Sequence, residues 1–168
     1  MRREDGLGMV GVIVLIIVIM TLVSAGIYFA RLKIEEAHVE TIKTNMLKIN
    51  WKVVELLEKA TAEGKDADLI GTPLDKIKDS KEVKNLVESN IIPEEEYSKY
   101  YTLTDLDIFR LGITNITNEP DSFYIVNYET HEVLISIGCK YNGKDVVYKL
   151  SDCKKDNEEN NMPAPAQQ

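Results

Sequence analysis

Residues 7–30 read LGMVGVIVLIIVIMTLVSAGIYFA, 24 residues without a charge. A bilayer core is about 30 Å thick, and roughly 20 apolar residues span it as a helix. A cleaved secretory signal has a shorter apolar run, about 7–15 residues, with small residues at the cut. Here the run is longer, and Ser24-Ala25-Gly26 leads directly into more helix-compatible sequence. A retained membrane helix is the expectation; a cleaved signal and a buried core helix are the alternatives. Charge alone sets no orientation, because Arg2 and Arg3 on one side are balanced by Arg31 and Lys33 on the other. A short N-terminus inside and a long acidic part outside is the more natural arrangement.

Outward from this run, the helix continues. Leu32, Val39, Ile42, Met46, Ile49, Val53, Leu56 and Ala60 recur at intervals of 7, 3, 4, 3, 4, 3 and 4, one stripe along a helix. Glu35, Glu36, Lys43, Lys48 and Lys52 fall off it, and Gly64 is the expected stop. Residues 7–63 thus predict one helix, roughly 85 Å long at 1.5 Å per residue. Its first half, 7–30, is apolar all round, and its second half, 31–63, has one apolar edge. The stripe is expected to pack on the chain's own C-terminal part; a coiled coil is the alternative.

Residues 64–122 read as a connecting region with a short helix at 81–88, a loop through NIIPEEEYSKYY, and a second short helix. Thr104 is the expected N-cap of that helix and Gly112 its stop. At 123–153 the period changes: FYIVNY (123–128), VLISIGCKY (133–141) and DVVYKL (145–150) predict an antiparallel meander of three strands, with room for a fourth. Asn142-Gly143 is a hairpin-turn signal. Residues 154–168 form a polar tail, expected to be disordered. The fold class expected is α+β: one long N-terminal helix packed on a small antiparallel sheet.

The chain has 168 residues, a net charge of −8 and a pI near 4.9, which excludes nucleic acid as the main partner because phosphate binding needs clustered cations. No catalytic constellation stands out, so no enzyme is expected, and no cofactor or metal. His38 and His131 fall in separate elements, GLGMVG precedes an apolar helix rather than a strand-helix unit, and the acids of LSDCKKDNEENN fit no defined calcium loop. Asn115-Ile116-Thr117 matches a glycosylation acceptor by pattern only. Outside the membrane the even pair Cys139 and Cys153 suggests one disulfide, with two free thiols the other reading. Trp51 is expected to pack against the loop that follows its helix, a contact between subunits being the alternative. Tyr97, Tyr100 and Tyr101 are expected to cover a sheet edge, an exposed adhesive patch being the alternative.

The N-terminal segment Gly6-Leu7-Gly8-Met9-Val10-Gly11-Val12-Ile13-Val14 resembles the class III signal of type IV pilins and pseudopilins, and FYIVNYETHEVL is similar to strand-turn-strand segments of pilin-like proteins from Gram-positive bacteria. The outline agrees across nearly the whole chain. The resemblance implies that residues 1–6 are a cytoplasmic leader, cut after Gly6 by a prepilin peptidase to leave Leu7 at the N-terminus, where it is open to methylation. It implies a single-pass membrane subunit with its C-terminal domain outside. An assembly ATPase, acting through a platform protein, then lifts the subunit into an extracellular pilus or pseudopilus among other pilin subunits. Such filaments serve adhesion, motility, secretion or DNA uptake. The family's glutamate five residues past the scissile glycine has no counterpart here: Gly11 stands there, and Glu4 and Asp5 leave with the leader. A filament-tip subunit, or a lineage that tolerates an unpaired terminus, would each account for this. A permanently anchored protein with an extracytoplasmic binding domain is the rival reading.

Overall fold

The computed structural model describes residues 5–116, 118, 120–140 and 146–153. Helix α1 (Asp5–Glu63) runs for 59 residues. By contacts the chain divides into two compact units, Met1–His38 and Val39–Gln168, with α1 contributing to both.

In the first unit, every residue from 11 to 38 is solvent-exposed. Among the described residues, 11–30 of the apolar run are all exposed, and the helix is long and apolar enough to cross a membrane. Its threonine and serine hydroxyls are satisfied within the helix: Thr21 Oγ1 donates to the Val18 carbonyl at 2.8 Å and Ser24 Oγ to the Met20 carbonyl at 2.8 Å. Such back-bonding lets Ser and Thr sit in an apolar segment without an orphaned donor. Leu32, the first position of the stripe, is 38 % exposed and belongs to this unit, not to the packed face.

In the second unit, Val39, Ile42, Met46, Ile49 and Val53 of α1 are buried, and Leu56 packs at the margin of the same core. Ala60 is half-buried. Their 3–4 spacing keeps them on one helical face, which meets the sheet through Tyr124, Val126, Val133 and Ile135. Lys43 departs from its expected place among the polar residues. It lies beside Ile42 at the edge of the packed face, and its side chain is buried, with Nζ 3.9 Å from the Glu40 carboxylate. Helix α1 ends where the sequence stops it: Gly64 takes φ +66° and its amide bonds the Thr61 carbonyl at 3.1 Å.

The sheet has five antiparallel strands in sequential order: β1 (Thr72–Pro73), β2 (Tyr100–Leu103), β3 (Tyr124–Asn127), β4 (Glu132–Lys140) and β5 (Val146–Lys149). Three of these were expected. β1 and β2 come from the region read as connecting loop, and β2 pairs β3 with Tyr100 opposite Asn127 and Leu103 opposite Tyr124. Tyr100 and Tyr101 therefore form part of an interior strand and do not cap an edge. Both faces of the sheet are covered, the second by helix α2 (Lys81–Glu88) and a 3-10 turn (Leu74–Ile77), with Leu74, Val83, Leu86 and Ile92 buried against Ile125 and Leu134. Double coverage explains why all four residues of β3 are buried and why its sequence shows no polar alternation.

Helix α3 (Asp105–Arg110) opens on a capping box: Thr104 Oγ1 accepts from the Asp107 amide at 3.2 Å, and Asp107 Oδ2 accepts from the Thr104 amide at 3.0 Å. Gly112 follows its last turn at φ +80°. The β3–β4 turn is held by Asn127 Oδ1, which accepts from the amides of Glu129 and Thr130 at 2.9 and 3.1 Å. On β4 the register shifts between Leu134 and Cys139, a bulge built around Gly138 at φ +64°. A Cβ there would run into the side chains of Val146 and Tyr148, so this position requires glycine. The expected turn at Asn142-Gly143 and the tail 154–168 lie outside the described residues.

Candidate functional site

Of the residues singled out for processing, Gly6 and Leu7 lie within α1, as does Gly11. No carboxylate side chain occurs between Leu7 and Ile34, and the first is Glu35. A Cβ at Gly11 or Gly26 would meet nothing of this chain within 4 Å. Small residues at these positions leave room for a neighbouring helix to approach closely.

The two cysteines are brought together, but as free thiols in place of the expected disulfide. Cys139 on β4 is half-buried and Cys153 is buried, and the Cys153 thiol hydrogen-bonds the Cys139 sulfur. Accepting that bond pulls the Cys139 thiol below its ordinary range, against the effect of burial. Donating it pushes Cys153 well up, and burial adds to this, while the Lys43 ammonium opposes it. The bulge at Gly138 sets the position of Cys139 directly, and a helical turn at 150–153 delivers Cys153.

A second arrangement has no counterpart in the sequence reading. Tyr128, at the end of β3, reaches residues of the segment that follows α1. Its hydroxyl donates to the Ile70 carbonyl at 2.7 Å and accepts from the Ile70 amide at 3.1 Å, while its ring meets Tyr101 edge-on at 5.2 Å. Burial raises its pKa to about 12, partly opposed by the bond to Ile70. This clasp ties the exit of α1 to the sheet.

Trp51 is 75 % exposed and does not pack against the loop that follows its helix. It lines a groove of about 560 Å³ with Leu47, Lys48 and Glu55 of α1, and Gly112, Ile113, Thr114 and Asn115 form the opposite wall. Asn115 of the acceptor triplet is thus exposed at the groove, and Thr117 lies outside the described residues. On α3, Leu106 and Phe109 point outward, 59 % and 63 % exposed, while Asp107 and Ile108 point in.

Among the described residues, no three His, Cys, Asp or Glu side chains converge on a point where a metal could be held. His38 is exposed on α1, and His131 sits in the β3–β4 turn, where its carbonyl accepts from Asn50 Nδ2. The features that distinguish the molecule are surfaces: an uncovered apolar helix, and on the folded unit a tryptophan-lined groove and an apolar ridge. Comparison with protein families, with characterised proteins and with solved structures finds no match to this chain.

Proposed function

We propose that the chain is a structural subunit of a type IV pilus-like filament, processed after Gly6 and held in the membrane by residues 7–30 before assembly. One observation carries this reading. A single helix joins a segment with no covering of its own to a stretch whose apolar face completes a folded, two-sided sheet domain. Lipid and a bundle of like helices are both apolar surroundings, so transfer of residues 7–30 between them loses little hydrophobic free energy. Association then rests on close packing, for which Gly11, Ser24, Ala25 and Gly26 are suited. In this reading the folded unit lies outside the cell, and the partners are other pilin subunits, the prepilin peptidase, and the platform protein with its ATPase.

Gly11 makes a minor or specialised subunit the better fit than a main-shaft pilin. An amino group buried among apolar helices without a carboxylate partner is costly, and a tip subunit has no neighbour ahead whose register such a pair would fix. The same residue favours the rival reading of a permanent single-pass anchor with a binding domain.

The experiment is N-terminal sequencing and intact mass of the chain co-expressed with a prepilin peptidase, with electron microscopy of sheared surface fibres. The expected mature N-terminus is Leu7, and Gly6→Val is expected to block both processing and entry into fibres. A chain that keeps Met1 and is never found in fibres is the permanent anchor.

A further inference from the structure

We infer that Cys139, Cys153 and Lys43 form a binding site for a cuprous ion, with the two sulfurs as its ligands and the lysine ammonium as the charge beside them. The two thiols come from separate elements and meet sulfur to sulfur, Cys153 donating its hydrogen to Cys139. Cys139 follows the bulge at Gly138, whose backbone shape only glycine can take. The turn that carries Cys153 is tied to the far end of the same strand, where the Ser151 amide donates to the Glu132 carboxylate at 3.0 Å. Leu150, at the start of that turn, is buried in the main core. Both sulfurs are therefore held in place by the fold itself.

Three features select the ion. Among the described residues, no three His, Cys, Asp or Glu side chains converge, so the three or four protein ligands that a divalent ion requires are not gathered there. A soft monovalent ion is content with two thiolates, and sulfur ligands favour Cu(I) over harder cations. The surroundings are apolar, for Cys153 is buried and Cys139 packs at the margin of the core that holds Met46, Ile135 and Leu150. Lys43 is drawn into this region from α1, and its buried ammonium lies close enough to favour the Cys153 thiolate. The exposed Asp152 carboxylate opposes it to a smaller extent.

Binding joins Cu(I) to the two sulfurs, and both thiol protons pass to water. The ion takes the place of the hydrogen now held between them. No electron moves, since copper enters and stays as Cu(I). Two thiolates and one cuprous ion leave one net negative charge, costly in a buried place on its own. The Lys43 ammonium offsets that charge, and half-buried Cys139 is the side from which the ion enters. The site lies wholly in the folded unit and does not depend on entry into a filament.

The test uses the purified full chain in detergent, with its thiols reduced and oxygen excluded. Cuprous ion is supplied as its coloured complex with bicinchoninate, and loss of the colour reports transfer to the protein. One ion per chain is expected, read in native mass spectra as a gain of one copper and a loss of two hydrogens, with two sulfur neighbours in X-ray absorption. Bound copper is expected to protect both cysteines of the parent chain from iodoacetamide, a reading that needs no variant. Cys139→Ser and Cys153→Ala are each expected to take no copper from the chelator, as is the parent after oxidation to the disulfide. Lys43→Met keeps the length of the side chain without its charge; it is expected to hold one ion at two sulfurs with affinity about tenfold lower. Circular dichroism melts check that each variant is folded. No transfer to the parent, cysteines left open to iodoacetamide, copper bound equally by Cys139→Ser, or an affinity indifferent to Lys43→Met overturns the site.

Discussion

Replacing Tyr128 by Phe removes one oxygen and two hydrogen bonds while leaving the ring against Tyr101. A neutral hydrogen bond contributes about 0.5–1.5 kcal/mol net, and a buried group left without its partner costs about 1–3 kcal/mol. Ile70 is only half-buried, so water takes over part of what the hydroxyl did, and the expected loss is about 2 kcal/mol. The protonated phenol is the form that the fold stabilises, since its pKa is raised from 10.0 to about 12. This contribution is therefore complete below pH 10 and declines as pH rises through the folded value near 12. At its full extent it is about 2–3 kcal/mol. Tyr128→Phe should be less stable in urea at pH 7, and between pH 10 and 12 its stability should fall less steeply than that of the parent. The local reading is amide exchange at Ile70, which should accelerate in the variant while amides of β4 keep their protection. Unchanged exchange at Ile70, with unchanged urea stability, would show that the clasp contributes nothing and that the reasoning from its geometry is wrong.

Gly138→Ala places a methyl group against Val146 and Tyr148 in a backbone conformation that L-residues avoid, so a loss of about 2 kcal/mol or more is expected in thermal melts. Mild oxidation should join Cys139 to Cys153, read as a mass loss of two hydrogens, and stabilise the folded unit by about 3 kcal/mol for a loop of this length; Cys139→Ser should be indifferent to the oxidant. Ile49→Ala, at a fully buried position between α1 and the sheet, should cost about 2–5 kcal/mol, whereas Leu32→Ala, on the exposed part of the same stripe, should leave the melt within about 0.5 kcal/mol.

What the sequence disclosed was local. The capping residue Thr104, the stops at Gly64 and Gly112, and the 3–4 spacing from Val39 to Val53 are each written within one or two helical turns, and each is found where it was expected. Strand β2 was not legible because YYTL becomes a strand through a partner 27 positions away, Asn127 opposite Tyr100, and carries no turn signal on its N-terminal side. The second cover of the sheet was missed for a related reason. An apolar run such as YIVN reads alike whether one or both faces are buried, until the elements that cover it are known. Leu32 and Lys43 mark the limit of a stripe drawn by periodicity alone: the first fits the phase but lies outside the folded unit, and the second is off phase yet is drawn in beside Cys153. Of the candidate site, the uncovered helix was plain from composition. The groove and the clasp depend on residues 60 or so positions apart and had no signature in the chain order.

One edge of the sheet is a strand of only two residues, the second of them Pro73, which has no amide hydrogen to offer. A crowd of such domains, pressed shoulder to shoulder, has there no ladder for a stranger's backbone to climb. Neighbours can lean on one another through side chains and still come apart as the same folded individuals.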